Sequence, residues 1–161
     1  MAVCWIWRLT KAEKSAPHEV EVASKENLLF LAIANRAYGG DPMVIEMLRL
    51  LFERHALDAQ IELVPESEIV ETARRRKPAL ILAGYRQIDP DNTMPQCGDE
   101  VIKALKSEPD TRDIPILMLE SLADIDEVAR ACGVDAYVSL PYGATEIFDA
   151  VVELIGIQPA T

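Results

Sequence analysis

Side chains able to do chemistry are few in this chain, and they are scattered. His18 and His55 have no second ligand or carboxylate at metal-site or triad spacing. His55 falls at a predicted helix end, where capping is its expected role. Cys4, Cys97 and Cys132 form no CxxC pair, so neither a disulfide framework nor a zinc site is indicated and reduced thiols are expected. Cys97 precedes Gly98-Asp99 at a helix entry, where the dipole could stabilise a thiolate; burial as a small apolar filler is the plainer reading. No GxGxxG or GxxxxGK[ST] follows any candidate strand, which removes the main support for dinucleotide and P-loop readings. The one basic run, Arg74-Arg75-Arg76-Lys77, ends a predicted helix, where cations complement the helix dipole. With 27 acidic against 16 basic residues and a formal charge of -11, the chain repels phosphate backbones and anionic membranes. No nucleic-acid or membrane partner is expected.

The elements that must position any site come next. The 161 residues fit one domain with flanking segments, large enough to bury a core without staples. No apolar run approaches the roughly 20 residues needed to span a bilayer. The opening Met1 to Arg8 lacks the charged lead and cleavage site of a signal peptide, so cytoplasmic residence is expected. Residues 1–26 read as a partly irregular extension, 27–157 as the domain and 158–161 as a tail. Leu28 to Ala34 is an unbroken apolar run, suited to a strand buried on both faces of a parallel sheet. Asp41-Pro42 caps a helix with apolar positions at Val44, Met47, Leu48, Leu51 and Phe52. Alternation continues with strand Gln60 to Val64, helix Glu66 to Arg76, strand Ala79 to Ala83, helix Asp99 to Lys106 and strand Ile114 to Leu119. Helix Ala123 to Cys132, strand Ala136 to Leu140 and helix Ala144 to Ile155 complete the series. Five strand-helix pairs predict a doubly wound α/β domain. Ligands of such sheets bind at the carboxyl ends of the strands. Trp5 and Trp7, alternating with Ile6, could add an edge strand, swap, dock on a partner or pack on their own domain.

Several stretches resemble the receiver domain of bacterial response regulators, the chemotaxis-regulator type, over roughly Leu28 to Ile155. They are Asp41 to Leu51, Lys77-Pro78-Ala79-Leu80-Ile81-Leu82, Ile114 to Leu119, and most specifically Gly133-Val134-Asp135-Ala136-Tyr137-Val138-Ser139-Leu140-Pro141-Tyr142. The resemblance implies a flavodoxin-like (βα)5 fold with strand order 2-1-3-4-5. It places helices one and five on one face and two, three and four on the other, with a cis bond before Pro141.

A working receiver holds an acidic pair after its first strand, a phosphoacceptor Asp after the third, Thr or Ser after the fourth, and Lys before the proline. Carboxylates hold Mg²⁺, metal and Lys neutralise the phosphoryl group, and the hydroxyl meets the product. Aligned by strand, this chain places Ala34 and Asn35, Gly84, Glu120 followed by Ser121, and Leu140 before Pro141 at those positions. A degenerate pocket without cofactor or metal follows. The loops Arg36 to Gly40 and Tyr85 to Thr93 are lengthened at the same rim. In a rival alignment Asp91-Asn92-Thr93-Met94-Pro95 matches the family's DxxMP signature, making Asp91 the phosphoacceptor of a conventional receiver, with Asp41 as the first-loop acid. A third reading is a small flavodoxin-like cofactor protein, for which no catalytic pair is visible. The leading expectation is an atypical receiver in phosphorelay signalling: not an enzyme, but a phosphorylation-independent interaction module. The resemblance implies a histidine kinase, another receiver or an output protein as partner, or a homodimer, through the fourth helix, fifth strand and fifth helix. The residues assigned to that face are Ile125, Val128, Ala129, Tyr137, Ser139, Tyr142 and Ile147.

Overall fold

In the computed structural model, hydrophobic periodicity becomes a sheet sandwiched between helices; the described residues are 7–8, 28–34, 42–84, 86–87, 96–97, 99–120, 125–139 and 143–157. The elements are β1 (Trp7–Arg8), β2 (Leu28–Ala34), α1 (Pro42–Arg54), β3 (Ala59–Pro65), α2 (Ile69–Arg76), β4 (Leu80–Ala83) and β5 (Arg86–Gln87). They continue with β6 (Gln96–Cys97), α3 (Asp99–Ser107), β7 (Ile116–Glu120), α4 (Ile125–Cys132), β8 (Ala136–Ser139) and α5 (Ala144–Ile155). Among the described residues the main sheet has six strands in the order β1-β8-β7-β4-β2-β3. Five of them, β3-β2-β4-β7-β8, are parallel neighbours and reproduce the expected 2-1-3-4-5 order.

Alternation along the buried strands sends side chains to two separate cores. On one face Phe30, Leu82, Leu117 and Val138 meet Ile45, Leu48 and Phe52 of α1 and Ile147, Phe148 and Val151 of α5. On the other, Leu31, Ile81, Met118 and Tyr137 meet Ile69 and Ala73 of α2, Ile102 and Leu105 of α3, and Ile125 and Ala129 of α4. The distribution of helices expected from the resemblance is the one observed. Phe52 links the first core internally, edge-on to Phe30 at 5.5 Å between ring centroids and tilted against Phe148 at 6.1 Å.

The sheet also carries structure that the alternating pattern did not predict. β1 pairs antiparallel with β8, Trp7 opposite Tyr137 and Arg8 opposite Ala136, so the expected parallel sheet gains an antiparallel edge strand from the amino-terminal extension. Of the readings for the aromatic segment, the added edge strand is what Trp7 forms; Trp5 lies outside the described residues. The lengthened third connection contains a small antiparallel hairpin, β5 with β6.

Element ends also shift for local reasons. Helix Glu66 to Arg76 resolves into a 3-10 turn at Glu66–Glu68 followed by α2. Lys77 stops α2 with φ 48° and ψ 61°, a left-handed cap that starts the turn before Pro78. Strand β7 begins at Ile116, not Ile114, because the preceding segment is a turn pinned by the buried Thr111, whose Oγ1 donates to Leu105 O at 2.7 Å.

Candidate functional site

The parallel register decides which residues meet at the carboxyl ends of the strands. Ala34 ends β2, Gly84 follows the last residue of β4, and Glu120 ends β7 opposite Ser139 of β8. These come from the adjacent strands β2, β4, β7 and β8, so the structure brings Ala34, Gly84 and Glu120 into one row. By alternation, Glu120 and Ser139 fall on the α2-α3-α4 side of the sheet, while Ala34 and Gly84 take the α1-α5 parity.

Gly84 is buried and contributes only backbone. Glu120 is 2% exposed, a depth at which a carboxyl group requires polar partners. Among the described residues no buried side-chain oxygen or nitrogen lacks a hydrogen-bond partner, so Glu120 is a satisfied member of the site. Asn35, Asp41, Asp91, Ser121, Leu140, Pro141 and Tyr142 lie outside the described residues, as does the peptide bond expected to be cis. Asp91 falls on the connection between β5 and β6, so a hairpin strand intervenes between it and Gly84 in the chain.

A divalent cation of this fold needs several oxygen ligands. The described strand ends offer Glu120 as their one carboxylate, and among the described residues no group of three or more His, Cys, Asp or Glu could hold a metal ion. These residues do not fit a magnesium site.

The flank assigned to partners is rearranged by its own packing. Ile125, Ala129, Tyr137 and Ile147 point inward and are buried, Val128 and Ser139 are half-buried, and Tyr142 is outside the described residues. Helix periodicity turns Ile125, Ala129 and Ile147 to the core, and strand alternation does the same for Tyr137. The outer surface of the two helices is polar, with Glu127 and Arg130 on α4 and Asp149 and Glu153 on α5 exposed. The outer edge of β8 is taken by β1.

A second polar cluster, not read from the sequence, braces this flank. Lys106 Nζ on α3 meets Asp135 Oδ2 at 2.5 Å and donates to Ile114 O at 2.9 Å. Asp135 Oδ2 also accepts from the Ile116 N–H at 2.8 Å, and the Asp135 N–H donates to Ile116 O at 3.0 Å. The Gly133-Val134-Asp135 stretch was the available signal, since Gly133 caps α4 at φ 79° and delivers Asp135 to β7. The basic run of α2 is largely neutralised: Arg74 pairs with Glu71 and Glu108, Arg76 with Glu62 and Lys77 with Asp110.

No protein-family model matches this sequence, and no curated protein does. Solved structures do. The receiver domain of a sensor histidine kinase from Pseudomonas aeruginosa, with a magnesium ion coordinated in its active-site cleft, gives a TM-score of 0.61 at 17% identity, covering 81% of this chain and 98% of that one. The signal receiver domain of a signal transduction histidine kinase from Syntrophus aciditrophicus gives 0.60 at 24% identity, over 83% of this chain and 94% of that one. A Francisella response regulator receiver domain gives 0.59 at 15% identity, over 81% and 97%. The chain therefore has the receiver fold. No helix among the described residues is long and apolar enough to cross a membrane.

Proposed function

We propose that this chain is an atypical response-regulator receiver of two-component signalling that works in the cytoplasm through protein contacts, without phosphoryl transfer and without a resident metal or cofactor. The observation that carries the reading is Gly84: the buried position at the end of β4, where a receiver keeps its acceptor carboxylate, has no side chain to phosphorylate. Glu120 supports it, because a buried glutamate ends the neighbouring strand β7 where a receiver keeps the hydroxyl that meets the phosphoryl group. The proposed docking surface is the outer flank formed by α4, β8 and α5, and its partner is a histidine kinase, another receiver or an output protein, or a second copy of the chain.

Acetyl phosphate or beryllofluoride with Mg²⁺ tests the reading. The expected result is no phospho-species by intact-mass measurement and no Mg²⁺-dependent shift of the Gly84 and Glu120 amide signals. A phospho-species abolished by Asp91→Asn would replace this reading with a conventional receiver whose acceptor sits on the β5-β6 connection.

A further inference from the structure

Two copies of a chain with a formal charge of -11 can meet only where like charges are not set against each other. A two-fold contact adds a second demand, because each surface must complement itself. The outer surfaces of the helices differ in both respects. On α5 the exposed charged residues Asp149 and Glu153 are both acids, and the half-buried Glu146 is a third, so pairing α5 with its own copy opposes carboxylate to carboxylate. On α2 the bases are committed within the fold, Arg74 to Glu71 and Glu108 and Arg76 to Glu62.

α1 is built differently. It buries Ile45, Leu48 and Phe52. Its outer side carries Met43, 77% exposed, and Leu50, 59% exposed, about two turns apart with the half-buried Met47 between them. Apolar side chains gathered on one exposed surface and rimmed by charge mark a contact site. Along the rim the order is Glu46, Arg49, Glu53, Arg54, alternately acid and base. Reversed, that order is its own complement. An antiparallel copy related by a two-fold axis near Leu50 brings Arg54 to the level of Glu46 and Glu53 to the level of Arg49, and symmetry supplies each pairing twice. A parallel copy would oppose Glu46 to Glu46 and Arg49 to Arg49. The Arg49 guanidinium is already fixed at the rim, donating through Nη2 to Ile61 O at 2.8 Å and through Nη1 to Glu46 Oε2 at 3.4 Å.

We infer that the outer face of α1 is a contact between two copies of this chain, packed antiparallel about Leu50. With 13 residues, α1 is about 20 Å long, which is too short a face for an obligate dimer, so the pair forms as concentration rises. The inference narrows the partner assignment of the α4-β8-α5 flank by taking the second copy away from it. Its test uses neither phosphate nor a foreign protein, so the two readings fail separately.

Sedimentation equilibrium of the full chain, up to about 1 mM and in about 0.15 M salt to screen the long-range repulsion, tests the contact. A monomer-dimer equilibrium is expected, and Leu50→Glu, at an exposed position, should abolish it. Glu46→Arg and Arg54→Glu should each weaken the dimer about tenfold, because each reverses two symmetry-related pairings. The two together on one chain should restore most of that loss. A chain that stays monomeric throughout overturns the contact, and so does a dimer that Leu50→Glu leaves intact. A dimer lost with Leu50→Glu but no stronger in the charge-swapped chain than in the single variants overturns the antiparallel arrangement.

Discussion

Tyr137 donates its hydroxyl hydrogen to Asp126 Oδ1 at 3.2 Å, tying the middle of β8 to the first turn of α4. Burial, followed by the nearby Asp126 carboxylate, raises the Tyr137 pKa above its ordinary value. The folded state thus holds this proton at pH values where the unfolded chain releases it. Stability from this group is complete below the unfolded tyrosine value, about 10, and is lost as pH rises through the folded value. Tyr137→Phe should cost about 0.5–1.5 kcal/mol near neutrality. It should also flatten the alkaline fall in stability, measured by urea unfolding from pH 8 to 11. An unchanged alkaline limb in the variant would show that other groups govern it.

The clamp of Lys106 and Asp135 is a stronger structural constraint, because the two side chains are only 13% and 23% exposed. Asp135→Ala leaves the Lys106 ammonium short of its counter-charge and the Ile116 N–H without its acceptor. A loss of about 2–3 kcal/mol is expected. Asp135→Asn, which keeps an acceptor oxygen, should lose less. Denaturant midpoints of the two variants check the order.

Phe52 joins Phe30 to Phe148 in the α1-α5 core, and Phe52→Ala should cost about 3–5 kcal/mol. Leu50, on the same helix but exposed, is the control: Leu50→Ala should shift the thermal midpoint little. Equal shifts for the two variants would show that the core packing described for α1 is wrong.

Arg49→Ala removes the side chain that covers the Ile61 carbonyl on the outer strand β3. The expected stability loss is about 1 kcal/mol. The larger effect should be self-association, followed by light scattering at rising concentration, because an uncovered edge accepts strands. Sedimentation indistinguishable from the unsubstituted chain would refute this role.

The legible part of the fold was that dictated by long periodic segments. The apolar run Leu28–Ala34 appears as strand β2, α1 begins at Pro42, and α5 occupies Ala144–Ile155 as its pattern indicates. The β1 and β5-β6 ladders were not legible as structures, since two residues carry no period and their pairing is fixed by distant backbone. Side-chain direction was the other blind spot. The resemblance gives Ile125, Ala129, Tyr137 and Ile147 to a docking face, and helix and strand alternation buries all four side chains. At the candidate site, residue identities at the strand ends are readable by alignment, whereas the burial of Glu120, at 2% exposure, is set by tertiary packing that no local pattern encodes.

The division of the interior into two cores sets the order in which the chain can complete itself during synthesis. The core under α2, α3 and α4 is assembled from segments that have all been made by Tyr137. The core beneath α1 waits for Ile147, Phe148 and Val151, which follow Tyr137 in the chain. Until then the inner surface of α1, with Phe52 at its centre, has no helix beside it on the sheet. A nascent chain is therefore sealed on one side of its sheet before the other, and its period of greatest vulnerability to aggregation ends only with the arrival of α5.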